Sequence, residues 1–159
     1  MQHISRRPGH QRPCSKRGFS RHIRRTKGGL NSKLHGMCDG QGRPVRLHLT
    51  AGQVSDFKGA DVLLADLSDE TEQVIGDRGY DSNKIRQSLA DRNITACIPP
   101  KKNRTSNPFY DWHLYKKCHL IENMFAKLKD WRRVATRYDR CAHTFVSAIY
   151  VAASFIFSL

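Results

Sequence analysis

The stretch Glu72-Gln73-Val74-Ile75-Gly76-Asp77-Arg78-Gly79-Tyr80-Asp81 opens the unit that decides the fold. Glu72–Asp77 is a short apolar run ending on an acid, and it reads as a strand. Asp81 or Ser82 then caps a helix whose Ile85, Leu89 and Ala90 face inward. Ile94-Thr-Ala-Cys-Ile98 reads as another short strand, stopped by Pro99-Pro100.

Working upstream, Pro44-Val-Arg-Leu-His-Leu-Thr50 alternates apolar and polar residues. It predicts a strand with Val45, Leu47 and Leu49 on one buried face. Asp39-Gly40-Gln41-Gly42 before it is a hairpin turn, and Leu30 to Cys38 reads as the partner strand. Between the hairpin and Glu72, Ser55 or Asp56 caps a helix carrying Phe57, Ala60, Leu63, Leu64 and Leu67. Downstream, Lys101 to Pro108 is a basic loop. A long helix covers about 111–130, with Leu114, Cys118, Ile121, Phe125 and Leu128 on one stripe. A last helix covers about 142–158 and is too short to span a bilayer. Strand and helix alternate in order, which predicts an α/β architecture with a mixed sheet and right-handed crossovers.

The chain has 159 residues, enough for one domain, and a net charge of +14. Residues 1–54 carry a net +11, 55–93 a net −4 and 94–159 a net +7. Two basic blocks flanking an acidic middle point to a polyphosphate partner, nucleic acid before membrane. Residues 1–28 hold no acid, few apolar residues and no period of 2 or 3.6. They read as a disordered basic arm ahead of a domain at 29–159. Five cysteines without a C-x-x-C pair argue against a disulfide scaffold and suit a reducing compartment. No apolar run is long enough for a membrane span, and no secretory signal is visible, so the expected location is cytoplasmic.

Two acids stand out as chemistry. Asp77 ends a strand, where an acid is costly in a core but suits the carboxyl edge of a sheet. Glu122 lies near Ile121 and Phe125, off the basic face of the long helix. Two carboxylates in a basic protein suit a Mg²⁺ site for phosphoryl chemistry; they equally suit a capping Asp and a surface Glu. Lys129 lies two helical turns after Glu122 on the same face and is placed to hold a phosphate, or is simply solvated. Lys116, Lys117, Arg132 and Arg133, with Lys101, Lys102 and Arg104 of the basic loop, are the candidate DNA contacts. Trp131 and Tyr138 stack on bases or pack. Cys118, His119, Cys141 and His143 lack finger-type zinc spacing.

Together these motifs resemble bacterial insertion-sequence transposases of the DDE class, in the IS-five group of the IS-four-like superfamily. The resemblance covers about 25–159 and rests on five motifs in order. They are Lys27-Gly-Gly-Leu-Asn-Ser-Lys-Leu-His35, Gly52-Gln-Val-Ser-Asp56, Gly76-Asp-Arg-Gly-Tyr-Asp81, Ile98-Pro-Pro-Lys101, and Tyr115 through Lys129. It implies a ribonuclease-H-like mixed sheet flanked by helices. It also implies two-metal cutting and strand transfer on DNA with Mg²⁺, or Mn²⁺ in its place. Asp77 matches the family's second catalytic Asp and Glu122 its catalytic Glu. Tyr115, Glu122 and Lys129 match the signature Y-x₂-R-x₃-E-x₆-K, whose Arg position is Cys118 here.

The family's first Asp has no counterpart, because no acid precedes Asp39. The resemblance therefore implies an N-terminally truncated or altered core. The missing first strand would stand between the second and fourth, leaving unpaired edges and an open core. The implied partners are insertion-sequence ends and target DNA, with homo-oligomers or mixed assemblies with full-length transposase. Impaired transposition or regulatory DNA binding is the expected outcome.

Overall fold

The computed structural model describes residues 2–5, 24–26, 29–65, 67–136 and 141–157. Tyr138 and most of the basic arm, residues 6–23 and 27–28, lie outside the described residues.

The strands are β1 (Gln2–Ser5), β2 (Arg24–Thr26), β3 (Gly29–Cys38), β4 (Pro44–Ala51), β5 (Gln73–Ile75) and β6 (Thr95–Cys97). The helices are α1 (Asp56–Ala65), α2 (Asn83–Ala90), α3 (Trp112–Tyr115), α4 (His119–Asp130), α5 (Arg132–Ala135) and α6 (Ala142–Phe157).

The hairpin β3–β4 is the centre of the fold. Asp39 shapes its turn by accepting from the backbone N–H of Gln41 and Arg43, each at 2.9 Å. Gly42 takes φ 80°, a conformation that favours glycine. Register runs from Ser32 opposite Ala51 to Cys38 opposite Pro44, with an irregularity at Met37/Cys38. Leu47 and Leu49 are buried as their alternation predicts. Val45, assigned to the same face, is instead 61% exposed, because it lies at the irregular end of the hairpin.

Alternation on β3 also sets the layers. Leu34 faces α4 and α6 in a cluster with Met124, Phe125, Leu128, Phe145 and Ile149. His35 points the other way, onto α1. A Cβ on Gly59 would come within 2.4 Å of its Nδ1, so only glycine lets α1 lie this close. The second cluster joins Ala60 and Leu67 to Ile85, Leu89, Ile94 and Ile98 around β5, α2 and β6. Ser82 Oγ caps α2 by accepting from Ile85 N at 3.1 Å.

Where residues 1–28 are described they form β1 and β2, both antiparallel to β3. Ladder pairing is a main-chain interaction and leaves no period in a polar sequence. Two expectations are corrected. The predicted long helix over 111–130 is interrupted: α3 passes through a 3₁₀ turn at Lys116–Cys118 before α4 begins. The single mixed sheet is two sheets. One is antiparallel, built on β3; the other is the parallel pair β5–β6. Among the described residues no strand pairing joins them. The class stands: an α/β, ribonuclease-H-like arrangement of small sheets and covering helices.

Candidate nucleic-acid interface and acidic site

Asp77 follows β5 by two residues, where the chain leaves the sheet edge. Its Oδ1 accepts from Gly79 N at 2.6 Å and caps a 3₁₀ turn over Arg78–Tyr80. A Cβ on Gly79 would stand 2.7 Å from that oxygen and 3.6 Å from Asp56 Oδ2. A side chain here would displace the Asp77 carboxylate, and Asp56 shares the neighbourhood of Asp77. Asp56 is itself held by Lys33 Nζ at 3.0 Å, and the same ammonium donates to Val54 O at 2.9 Å. Asp56 stands in the first turn of α1; its approach to Asp77 was not legible in the sequence.

Glu122 lies in the first turn of α4, exposed, one turn after Cys118. Burial raises the Cys118 thiol above its ordinary value, and the charges of Glu122 and Asp77 push it further. Tyr115 is raised in the same way: burial first, then Cys118, Asp77 and Glu122, with Arg78 opposing. Both acids thus act on the same turn of chain, Tyr115–Cys118. Cys38, on the facing strand, is pushed up to about 11 by burial, Asp39 and Cys118. Tyr80 is raised strongly by burial and by Asp77 and Asp56. The thiols and phenols stay neutral at pH 7, so the negative charge of this region belongs to the carboxylates.

Asp81, four residues past Asp77, is the hub of the adjoining loop. Its side chain is 1% exposed and accepts from Arg86 Nε at 2.9 Å, Arg104 Nη1 at 2.8 Å and Lys101 N at 2.9 Å. Burial pulls its pKa up, but these donors outweigh it and hold the carboxyl below its usual range. Arg104 also donates to Asn83 Oδ1. The sequence offered Arg104 as a DNA contact; the structure places its guanidinium in the fold. Lys101 lies with Nζ 4.4 Å from the centroid of the Phe57 ring. Lys102, Lys116, Lys117, Arg132 and Arg133 are exposed, and Lys129 is half-buried in the last turn of α4. Trp131 packs edge-on to Phe155, ring centroids 6.0 Å apart, which favours packing over base stacking.

A resident metal pair does not fit this donor set. Among the described residues no group of three or more His, Cys, Asp or Glu is placed to hold a metal ion. One oxygen of Asp77 is already engaged by Gly79, and Asp56 is engaged by Lys33. Among the described residues no helix is long and apolar enough to cross a membrane.

The fold is that of an α/β protein of the ribonuclease-H-like class. Residues 5–156 match the family described as Transposase DDE domain, and the chain belongs to that family. A chain of Brucella ovis, named as transposase for insertion sequence element IS6501, is 36% identical over 128 residues. That match covers 80% of this chain and 98% of the relative. A chain of Burkholderia cepacia, named for insertion sequence element IS402, is 28% identical over 127 residues. There the match covers 70% of this chain and 55% of the relative. No solved structure matches.

Proposed function

We propose that the chain is the transposase core of a bacterial insertion sequence, one that binds DNA while its strand-transfer chemistry is impaired. Family membership supports the transposase reading. The observation that carries the impairment is the acid set: Asp77 and Glu122 act on one turn, and the described residues add no third ligand. Two carboxylates hold a pair of Mg²⁺ or Mn²⁺ ions poorly, and such a pair is what in-line transfer at phosphorus needs. The same observation favours a second reading, a non-catalytic DNA-binding transposase fragment that regulates by mixed assembly with full-length protein. DNA ends and target DNA are the partners in both readings, and the bacterial cytoplasm, at the nucleoid, is the location. The IS-five grouping belongs to this proposal as well. Asp77 and Glu122 are its residual catalytic acids. Tyr115, Lys129, Lys101, Lys102, Lys116, Lys117, Arg132 and Arg133 are its DNA-facing residues.

The deciding experiment titrates Mg²⁺ and Mn²⁺ into the protein during thermal unfolding, beside Asp77→Ala and Glu122→Ala. The impaired reading expects no metal-dependent rise in Tm, together with salt-sensitive binding to duplex DNA. A rise that both substitutions abolish, accompanied by DNA strand transfer, would overturn the impairment. Absence of DNA binding at low salt would sink both readings.

A further inference from the structure

The two sheets face each other across a cavity of about 540 Å³. From one sheet Gly36, Met37 and Cys38 of β3 line it; from the other, Gln73, Val74 and Ile75, the whole of β5. On β3, β4 pairs with 32–38, whereas β1 reaches only 31–34. The edge away from β4 therefore has no described strand beside residues 35–38. β5 pairs with β6, and among the described residues nothing pairs with its other edge. Ile121 and Phe125 of α4 add an apolar lining.

Two edges without a described partner, on one cavity, set the chemistry of an occupant. An extended peptide carries N–H donors and C=O acceptors along both of its edges and can continue both ladders at once. Neither duplex DNA nor a compact small molecule offers that. Charge narrows it further. Glu72 immediately precedes β5 and Asp77 follows it, so a carboxylate stands near each end of this strand; both line the cavity. Asp39, also lining, is bridged by Arg43 at 2.8 Å, and Lys117 is the one cation among the described lining residues. In a chain of net charge +14 this is a local acidic rim.

We propose that the cavity is a strand-acceptor slot: it takes an extended segment of a partner protein, apolar at alternate positions and basic at its ends, between β3 and β5. Insertion would join the two sheets into one and bury the half-exposed Met37, Val74 and Ile121 surfaces. The proposal does not rest on the transposase reading.

The probe is an end-blocked octapeptide in which valine and threonine alternate between terminal lysines. The control replaces a central valine with proline, which removes one ladder donor and fixes φ. Amide hydrogen exchange is followed on the whole chain, with Tm in parallel. The expected result is slower exchange at 36–38 and 73–75, by about tenfold at saturation. Tm should rise with peptide concentration, and the proline control should produce neither effect. The proposal is overturned if the peptide leaves those amides unprotected, or if the proline control protects them equally. It is also overturned if duplex DNA alone gives the same protection, or if protection grows with protein concentration without peptide, which would make a second copy the occupant.

Discussion

His35 and Asp81 show how a buried titratable group ties one residue to the stability of the fold. His35 is fully buried, its Nε2 within 2.9 Å of Thr50 Oγ1, and its pKa is lowered to about 4. Burial is the main cause; Asp56 opposes it, while His48 and Lys33 assist. The unfolded chain takes a proton on His35 below about pH 6.5, where the folded chain does not. Stability therefore falls as pH drops from about 6.5 toward 4. Urea unfolding at pH 7.5 and pH 5.0 should show a loss of about 1–2 kcal/mol, absent in His35→Gln. Asp81 acts in a different window. Its folded pKa is depressed, so its contribution is present above the unfolded value near 3.9 and is lost as pH falls through the lower folded value. Asp81→Asn should leave two arginines facing a neutral group, at a cost of about 3–5 kcal/mol at pH 7, with a flatter acid limb in pH-dependent unfolding. Gly79→Ala brings a methyl against Asp77 Oδ1 and should cost about 1–2 kcal/mol, measured as a shift in the urea midpoint. Gly40→Ala, with nothing within 4 Å of the new methyl, should change stability by less than about 0.5 kcal/mol.

At the scale of elements, periodicity was a good guide where an element buries one face. Ser82 was legible as a cap because a short side-chain oxygen before an apolar stripe satisfies an orphan N–H. Ser82→Ala should lower stability by about 1 kcal/mol. Helix α6 was equally plain, and its Phe145 and Ile149 are buried in the main cluster under the sheet. Tyr150, one residue on, donates to Leu47 O at 2.9 Å and ties α6 to the outer strand. Phe145→Ala should cost about 3–5 kcal/mol by thermal or urea unfolding, because a fully buried ring leaves a cavity. The break in the helix at Lys116–Cys118 was not legible. Leu114, Cys118, Ile121 and Phe125 keep helical spacing across it, and a 3₁₀ turn disturbs that spacing too little to show in one sequence.

For the whole molecule, charge is the property that reaches furthest. Each phosphate contact contributes about −0.9 to the slope of log affinity against log salt. Lys116→Ala combined with Lys117→Ala should therefore reduce the slope for duplex DNA by about 1.8 if both side chains meet phosphate, read by fluorescence anisotropy. Arg104→Ala makes the contrasting prediction. Its guanidinium holds Asp81, so the variant should melt earlier while its salt slope stays unchanged. The sequence by itself determined the α/β class, the hairpin, the capped helix after Asp77 and the basic blocks, because each is written in local spacing or composition. Asp77 and Glu122 became candidates through the motifs around them. Tertiary structure alone decided that Asp56 is held by Lys33 beside Asp77, and that Asp81 recruits Arg86 and Arg104. It alone decided that the two sheets stay apart around a cavity. Those outcomes depend on side chains and edges far apart in the chain meeting in space, and no local period encodes such a meeting.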